Sequence, residues 1–176
     1  GKKCKLKGMK TIVSEGLILQ RKPFQENKVR LEILALGLGR CSVLWRAGSG
    51  RRAWSGLIEP THRVKLTLQP GRSFKILIGC ELIQAFPTLR QSYEKFLEAA
   101  KAIQVVRGIT MMDQDNPEIY ARFLKLLTTI DESPYSLDWV QQFRLDVLSL
   151  EGVLPIHTKV YNSLELLEDY AGKKLS

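Results

Sequence analysis

The sequence has few of the residues that build metal centres and disulfide scaffolds. Its 176 residues include 3 Cys and 2 His, and Cys4, Cys41 and Cys80 lie far apart with no Cys-x-x-Cys spacing. A zinc site would need ligands gathered from scattered positions, so no metal or other cofactor is expected. Three thiols without a pairing pattern suit a reducing compartment, which favours a cytoplasmic protein.

Long apolar runs and catalytic motifs are also missing from the sequence. No stretch approaches the roughly 18 apolar residues of a transmembrane helix, and no signal-peptide pattern opens the chain. No Gly-rich phosphate loop with Lys-Ser/Thr occurs, and neither does His-Glu-x-x-His or Gly-x-Ser-x-Gly. Asp113, Asp115 and Glu118 could in principle bind a metal, but a turn before a helix N-terminus attracts acidic residues anyway. We therefore expect no catalytic residues.

Acidic residues are scarce in the first half of the chain. Residues 1–86 contain 17 Lys+Arg against 5 Asp+Glu, whereas residues 87–176 contain 10 against 13, within a net charge of +9. A basic half beside a mildly acidic half indicates a polyanionic partner for the first half, and nucleic acid fits best. Residues 1–9, with four Lys and no acid, are either a basic arm or a remnant preceding a native start at Met9.

Apolar and polar residues alternate between residues 10 and 87, which predicts five β-strands. Gly16 is expected at a bulge in the first strand, and residues 21–27, with Pro23, at a turn. Five short strands separated by turn residues favour a small barrel of the OB-fold kind, although an SH3-like barrel would give a similar pattern. The fifth strand is predicted to turn these residues inward: Phe74, Ile76, Ile78, Cys80 and Leu82.

The apolar period changes to 3.6 after Pro87, which predicts a helical domain over residues 88–176. Asn116-Pro117-Glu118 is typical of a helix start, and Ser136 is predicted to cap a later helix that ends near Gly152. A last short helix is predicted over residues 160–171. The first helix is predicted to bury Leu89, Tyr93, Phe96, Leu97 and Ala100. The chain is therefore expected to be α+β, all-β and then all-α.

The segment from Trp45 to Gly56 joins the third and fourth predicted strands and carries Gly, Ser, Arg and Trp. The planar guanidinium group of arginine can donate two hydrogen bonds to phosphate oxygens, and an exposed indole ring provides a face on which an unpaired base can stack. Trp54 is the better stacking candidate, because Trp45 and Phe74 fall on inward positions. The predicted nucleic-acid-binding residues are Lys22, Arg40, Arg46, Arg51, Arg52, Trp54, Arg63, Lys65, Arg72 and Lys75.

Several stretches in this order resemble the RecO family of bacterial recombination and DNA-repair proteins. They are Ser14-Glu15-Gly16-Leu17-Ile18-Leu19, Gly56-Leu57-Ile58-Glu59-Pro60, Ala85-Phe86-Pro87, and the helix end Phe143 to Leu148 followed by Gly152-Val153-Leu154-Pro155. The resemblance spans roughly residues 10–156. It implies binding of single-stranded DNA, annealing of complementary strands, and loading of RecA together with RecR and single-stranded-DNA-binding protein. It also implies a nucleoid-associated location.

The chain departs from the family pattern after Pro155, where most members carry a zinc-binding insertion built on two Cys pairs. Ile156-His157-Thr158-Lys159 leads instead straight into the last predicted helix, so a short form without the zinc module is expected. The central loop is also less basic than is common in the family.

The helical half suggests a second surface. Arg122, Lys125 and Arg144 are the basic residues of its second and third helices, and with Phe123 or Leu148 they could dock the acidic tail of single-stranded-DNA-binding protein. Ordinary helix packing with exposed charges is the alternative. For the whole chain, the alternative is a barrel that binds RNA or protein without annealing activity.

Overall fold

The computed structural model of the protein describes residues 10–46 and 54–152. Of these, residues 10–46, 54–85 and 112–115 form one compact unit, and residues 86–111 and 116–152 form a second. No helix in the described ranges combines the length and the apolar character needed to cross a membrane.

The first unit is a closed barrel of five strands. They are β1 (Ile12–Gln25), β2 (Lys28–Ala35), β3 (Gly39–Arg46), β4 (Arg63–Gln69) and β5 (Lys75–Gln84). The order around the barrel is β1-β2-β3-β5-β4, with β3 parallel to β5 and every other pair antiparallel. The exchange of the last two strands gives a Greek-key rather than a sequential order, and a five-stranded Greek-key barrel is an OB-fold. The predicted fold class is confirmed.

The interior of the barrel is filled by apolar side chains from all five strands. Alternate residues of β2, β3 and β4 point into this core, as the apolar–polar alternation predicts, and Leu31, Ile33, Val43 and Leu66 are all fully buried. Trp45 is 1% exposed and belongs to this core.

The first strand is longer than predicted, and its irregularities lie elsewhere. It runs through Pro23 to Gln25, so residues 21–25 are strand and only Glu26 and Asn27 form the turn. The register shifts at Leu19 and at Phe24, not at Gly16. Gly16 is needed for close approach instead, because a Cβ there would lie 2.6 Å from Ile33 Cγ2.

The inner face of β5 differs from the prediction because a bulge changes its phase. Thr67 pairs with Gly79 and Leu68 with Leu77, so Ile78 is the extra residue. Leu77 therefore belongs to the core in place of Ile76 and Ile78, and the inward position predicted for Cys80 is confirmed. Leu82 keeps the phase of Cys80 but is 40% exposed, so it was wrongly predicted to be inward.

A short segment, residues 112–115, completes the barrel beside β3. Only Val43 and Leu44 of β3 pair with β5, and Arg40 at the start of β3 forms a parallel bridge with Met112. The Asp113 N–H donates to the Arg40 carbonyl at 2.7 Å, and the Gly37 N–H donates to Asp115 Oδ1 at 3.0 Å. These bonds satisfy groups near the edge of β3 that β5 does not reach.

The second unit contains four described helices. They are α1 (Pro87–Gln91), α2 (Tyr93–Ile109), α3 (Pro117–Glu132) and α4 (Trp139–Leu150). The start of α3 is confirmed, because Asn116 Oδ1 accepts a hydrogen bond from the Ile119 N–H at 3.2 Å. The predicted last helix at residues 160–171 lies outside the described residues.

Two helical predictions need correction. Ser92 is extended, ends α1 and caps α2, and this break shifts the buried face of α2 to residues such as Ala99 and Val106. Tyr93, predicted inward, is 80% exposed. Ser136 caps a turn by accepting from the Asp138 N–H, and α4 begins only at Trp139.

Candidate nucleic-acid interface

Four cationic side chains lie on neighbouring positions of β1, β2 and β3. Residues directly opposite each other in an antiparallel pair share a face, and Lys22 lies opposite Arg30 while Lys28 lies opposite Arg46. Since Leu31 points into the core, Arg30 points outward. Within residues 10–46 and 54–152, no carboxylate forms an ion pair with any of the four.

Two aromatic rings lie next to these cations. Phe24 and Phe74 meet edge to face, with ring centres 5.2 Å apart, and the Arg30 guanidinium lies 5.8 Å from the centre of the Phe74 ring. Phe24, the extra residue of a bulge, is 42% exposed. Phe74 was predicted to be core, but it precedes β5 and is half-buried outside the core cluster. We call this set the cationic face: Lys22, Phe24, Lys28, Arg30, Arg46 and Phe74.

A polar hollow of about 230 Å³ adjoins the cationic face through Phe74. The exposed Arg72 and the half-buried Lys75 line it together with Ser42 and Ser73. Lys75 Nζ lies 3.1 Å from Asp113 Oδ1, and the Asp113 carboxylate is 63% exposed. The hollow therefore places cations and hydroxyl groups where an anion could bind, and the Asp113 carboxylate pairs with one of these cations, Lys75.

The other predicted cations of the barrel lie beside carboxylates. Arg40 Nη1 is 2.8 Å from Glu32 Oε1 in a largely buried pair. Arg63 Nη2 is 2.7 Å from Glu15 Oε2. Lys65 is exposed, but its cross-strand neighbours are Glu15 on β1 and Glu81 on β5. Arg51 and Arg52 lie outside the described residues.

Trp54 begins a short turn and packs partly against the barrel core. Its carbonyl accepts hydrogen bonds from the N–H groups of Leu57 and Ile58. The turn is tied to β1 by Arg21, whose guanidinium donates to the Ser55 and Ile58 carbonyls at 2.8 and 3.0 Å.

Arg21 is a residue that the sequence reasoning missed. Its guanidinium also pairs with Glu59 at 3.1 Å and lies 5.2 Å from the centre of the Trp45 ring. Its hydrogen-bond partners Ser55, Ile58 and Glu59 are more than thirty residues away, so no local pattern in the sequence marks Arg21 as different from the other arginines.

The thiols and histidines form no recognisable reactive centre in the described residues. Burial raises the pKa of Cys41 to about 11, against an opposing effect of Lys75, and burial with Glu81 raises the pKa of Cys80 to about 11. His62 is buried and its Nδ1 is 2.9 Å from the Leu57 carbonyl oxygen. No group of three metal-ligating side chains occurs in residues 10–46 and 54–152.

The predicted partner residues of the helical unit divide between two places. Arg122 and Lys125 of α3 line a groove of about 380 Å³, whereas Arg144 of α4 is not among its lining residues. Phe123 and Leu148, predicted to form a pocket, are fully buried instead. The groove is lined by apolar, cationic and acidic side chains of both helices: Arg122, Lys125, Leu126, Thr129, Asp138, Trp139, Gln142, Phe143 and Asp146.

The closed Greek-key barrel with its cationic face defines an OB-fold protein. The chain is similar to proteins named DNA repair protein RecO. It is 26% identical to the one from Desulforudis audaxviator over 84% of this chain and 59% of that protein. It is 26% identical to the one from Chlamydia muridarum over 82% of this chain and 62% of that protein. The relative from Pelotomaculum thermopropionicum is 23% identical over 84% of this chain and 58% of its own length.

These relatives confirm the resemblance to the RecO family. The chain spans about three fifths of the length of the curated relatives it matches. No family model matches the chain.

Proposed function

We propose that this protein is a DNA repair protein that binds single-stranded DNA on the cationic face and promotes annealing of complementary strands. The observation that carries the proposal is the position of the Arg30 guanidinium against the Phe24–Phe74 ring pair, on an outer face with three further cations that no described carboxylate pairs. The similarity to proteins named for DNA repair supports the biological setting.

The face suits an unpaired strand because it combines two different contacts. Lys22, Lys28, Arg30 and Arg46 can neutralise successive phosphates, which releases counterions and gives salt-dependent binding without sequence preference. The exposed ring of Phe24 and the half-buried ring of Phe74 can stack on unpaired bases, whereas the bases of a duplex are already stacked on one another. The hollow beside Phe74 extends the same track, since Arg72 and Lys75 can take a further phosphate.

Annealing follows from the same contacts and needs no catalytic group. A cationic surface lowers the repulsion between two complementary strands, and bases that remain uncovered can then pair. We propose that the protein acts in this way with RecR and single-stranded-DNA-binding protein in loading RecA. In that case the cations of the α3–α4 groove, Arg122 and Lys125, would meet the acidic tail of single-stranded-DNA-binding protein.

The proposal is tested by titrating labelled single-stranded DNA, duplex DNA and single-stranded RNA in parallel at several salt concentrations. We expect the tightest binding to single-stranded DNA, with a log–log salt slope of about −0.7 for each phosphate contacted. Annealing of complementary oligonucleotides without nucleotide is expected to accelerate when the protein is added.

Two results would contradict the proposal. Equal or tighter binding of RNA, or DNA binding without acceleration of annealing, would favour the adaptor alternative. Binding that is insensitive to salt would exclude phosphate neutralisation as its main source.

A further inference from the structure

The groove between α3 and α4 has walls of opposite charge over an apolar base. Arg122 and Lys125 lie on the α3 wall, both exposed, and no described carboxylate forms an ion pair with either. Asp138 and Asp146 lie on the α4 wall. An acidic ligand can contact the α3 wall alone, whereas a segment that carries both signs together with apolar residues can contact both walls and the base.

We propose that residues 161–174 of the same chain bind in this groove. This segment lies outside the described residues, and its sequence has the required composition. The acidic residues Glu165, Glu168 and Asp169 match the α3 wall, and Lys173 and Lys174, which follow them, match the α4 wall. Three leucines among the acids can cover the apolar surface, and they are Leu164, Leu166 and Leu167.

The connection between α4 and this segment is long enough for binding within one molecule. The last described residue is Gly152, so the eight residues 153–160 precede the segment. Fully extended, they span up to about 26 Å. Asp146, at the near end of the groove, lies four residues before the end of α4, or about 6 Å along the helix axis. Even Asp138, just before the helix, is only about 18 Å from its end.

Binding within one molecule would make the segment a competitor for any other peptide that uses the groove. A tethered ligand acts at a high effective concentration, commonly in the millimolar range for short flexible linkers, so even a weak contact restricts access. The inference concerns the same groove as the proposed partner site, but it requires neither DNA binding nor a partner.

The first test is zero-length carbodiimide cross-linking of the full chain, mapped by mass spectrometry without DNA or partner proteins. We expect a cross-link from Lys125 to Glu165, Glu168 or Asp169, with a yield that does not depend on protein concentration. Lys125→Arg keeps the charge but removes the reactive amine, so it should abolish this cross-link. The exposed Lys101 of α2 serves as the control for random collisions and should give no cross-link to the segment.

The second test measures binding of a free fluorescent peptide with the sequence of residues 161–174. In the Glu165→Gln/Glu168→Gln/Asp169→Asn variant the tethered competitor is weakened, so we expect the full chain to bind the free peptide at least fivefold more tightly. The matched control is Glu94→Gln/Glu118→Gln/Glu132→Gln, which changes three exposed carboxylates that do not line the groove. This control should bind the peptide as the unaltered chain does.

Three results would overturn the inference. They are cross-links that form only between isotopically distinct copies, a Lys101 yield equal to that of Lys125, and an unchanged peptide affinity in the segment variant. None of them bears on DNA binding by the barrel, so failure here is distinguishable from failure of the proposed function.

Discussion

The cations on the two sides of the barrel differ in what they contact. On β1, β2 and β3, Arg30 and its neighbours face outward without a described carboxylate partner. On the β4 side, Arg63 pairs with Glu15, and Lys65 lies opposite Glu15 and Glu81. The comparison teaches that strand register, which sets the carboxylates that lie beside each cation, helps to decide which cations remain available to a polyanion.

The largest expected effect is a loss of folding stability at alkaline pH. It limits the pH range in which DNA binding by the two sides of the barrel can be compared. The thiols of Cys41 and Cys80 have pKa values of about 11 in the folded protein, above the usual 9.0. Between pH 9 and 11 the unfolded chain loses these protons while the folded chain keeps them, so stability is full below pH 9 and falls above it. We expect a loss of up to roughly 2–3 kcal/mol for Cys41 and a smaller loss for the less deeply buried Cys80, measured by urea unfolding across this range.

The corresponding variants separate this effect from other alkaline titrations. Cys41→Ala and Cys80→Ala are each expected to flatten the decline in stability between pH 9 and 11, whatever their effect at neutral pH. A decline of unchanged steepness in both variants would show that the thiols do not cause it.

Removing the ring of Phe74 is expected to have the largest effect on DNA binding. Phe74→Ala should weaken binding of single-stranded DNA about tenfold, because a stacked base contributes roughly 1–3 kcal/mol. The salt slope should not change, since no phosphate contact is lost. Phe74→Tyr keeps the ring and should bind like the unaltered protein, and a similar loss in both variants would argue against stacking.

Neutralising one cation on each side tests the comparison directly. Arg30→Gln should weaken binding several-fold and reduce the magnitude of the salt slope by about 0.7, the contribution of one phosphate. Lys65→Gln removes the same charge from the β4 side and should change affinity less than twofold. Equal losses in the two variants, measured by fluorescence anisotropy, would mean that the whole barrel surface attracts DNA without a preferred face.

The smallest expected effect concerns the boundary of the cationic face. Asp113→Asn removes the carboxylate that pairs with Lys75 and should tighten binding of single-stranded DNA two- to threefold. The gain is small because such an exposed pair contributes only about 0–1 kcal/mol. Adding Lys75→Gln should cancel it, and a gain that survives in the double variant would place its origin elsewhere.

The sequence predicted those parts of the fold that depend on local patterns. The start of α3 at Asn116 and Pro117 is one example, because the cap and the proline act within one turn of the helix. The phase of β5 was wrong because the bulge at Ile78 arises from pairing with β4, which periodicity along one strand does not reveal. Tyr93 was wrongly predicted to be buried for a similar reason. The helix is interrupted at Ser92, so the buried face of α2 does not continue that of α1.

The candidate site was less predictable than the fold because it depends on neighbours that are distant in the sequence. Arg30 was not singled out, since an outward arginine on a strand carries no signal until its neighbours are known. Arg40 was predicted to bind nucleic acid, yet its guanidinium forms a largely buried ion pair with Glu32 on the adjacent strand. Phe74 was assigned to the interior because the alternation of β5 was extended back to it. The strand begins only at Lys75, so this alternation does not apply to Phe74.

The position of residues 112–115 has a practical consequence for anyone who divides this protein into separately produced fragments. The segment belongs to the barrel, although the residues on both sides of it belong to the helical unit. A fragment that stops at Ala85 would leave the first half of β3 with unpaired N–H and C=O groups, and such an open edge is a template for aggregation. Fragments of the N-terminal half that omit residues 112–115 are therefore expected to aggregate more readily than the whole chain, for reasons unrelated to nucleic-acid binding.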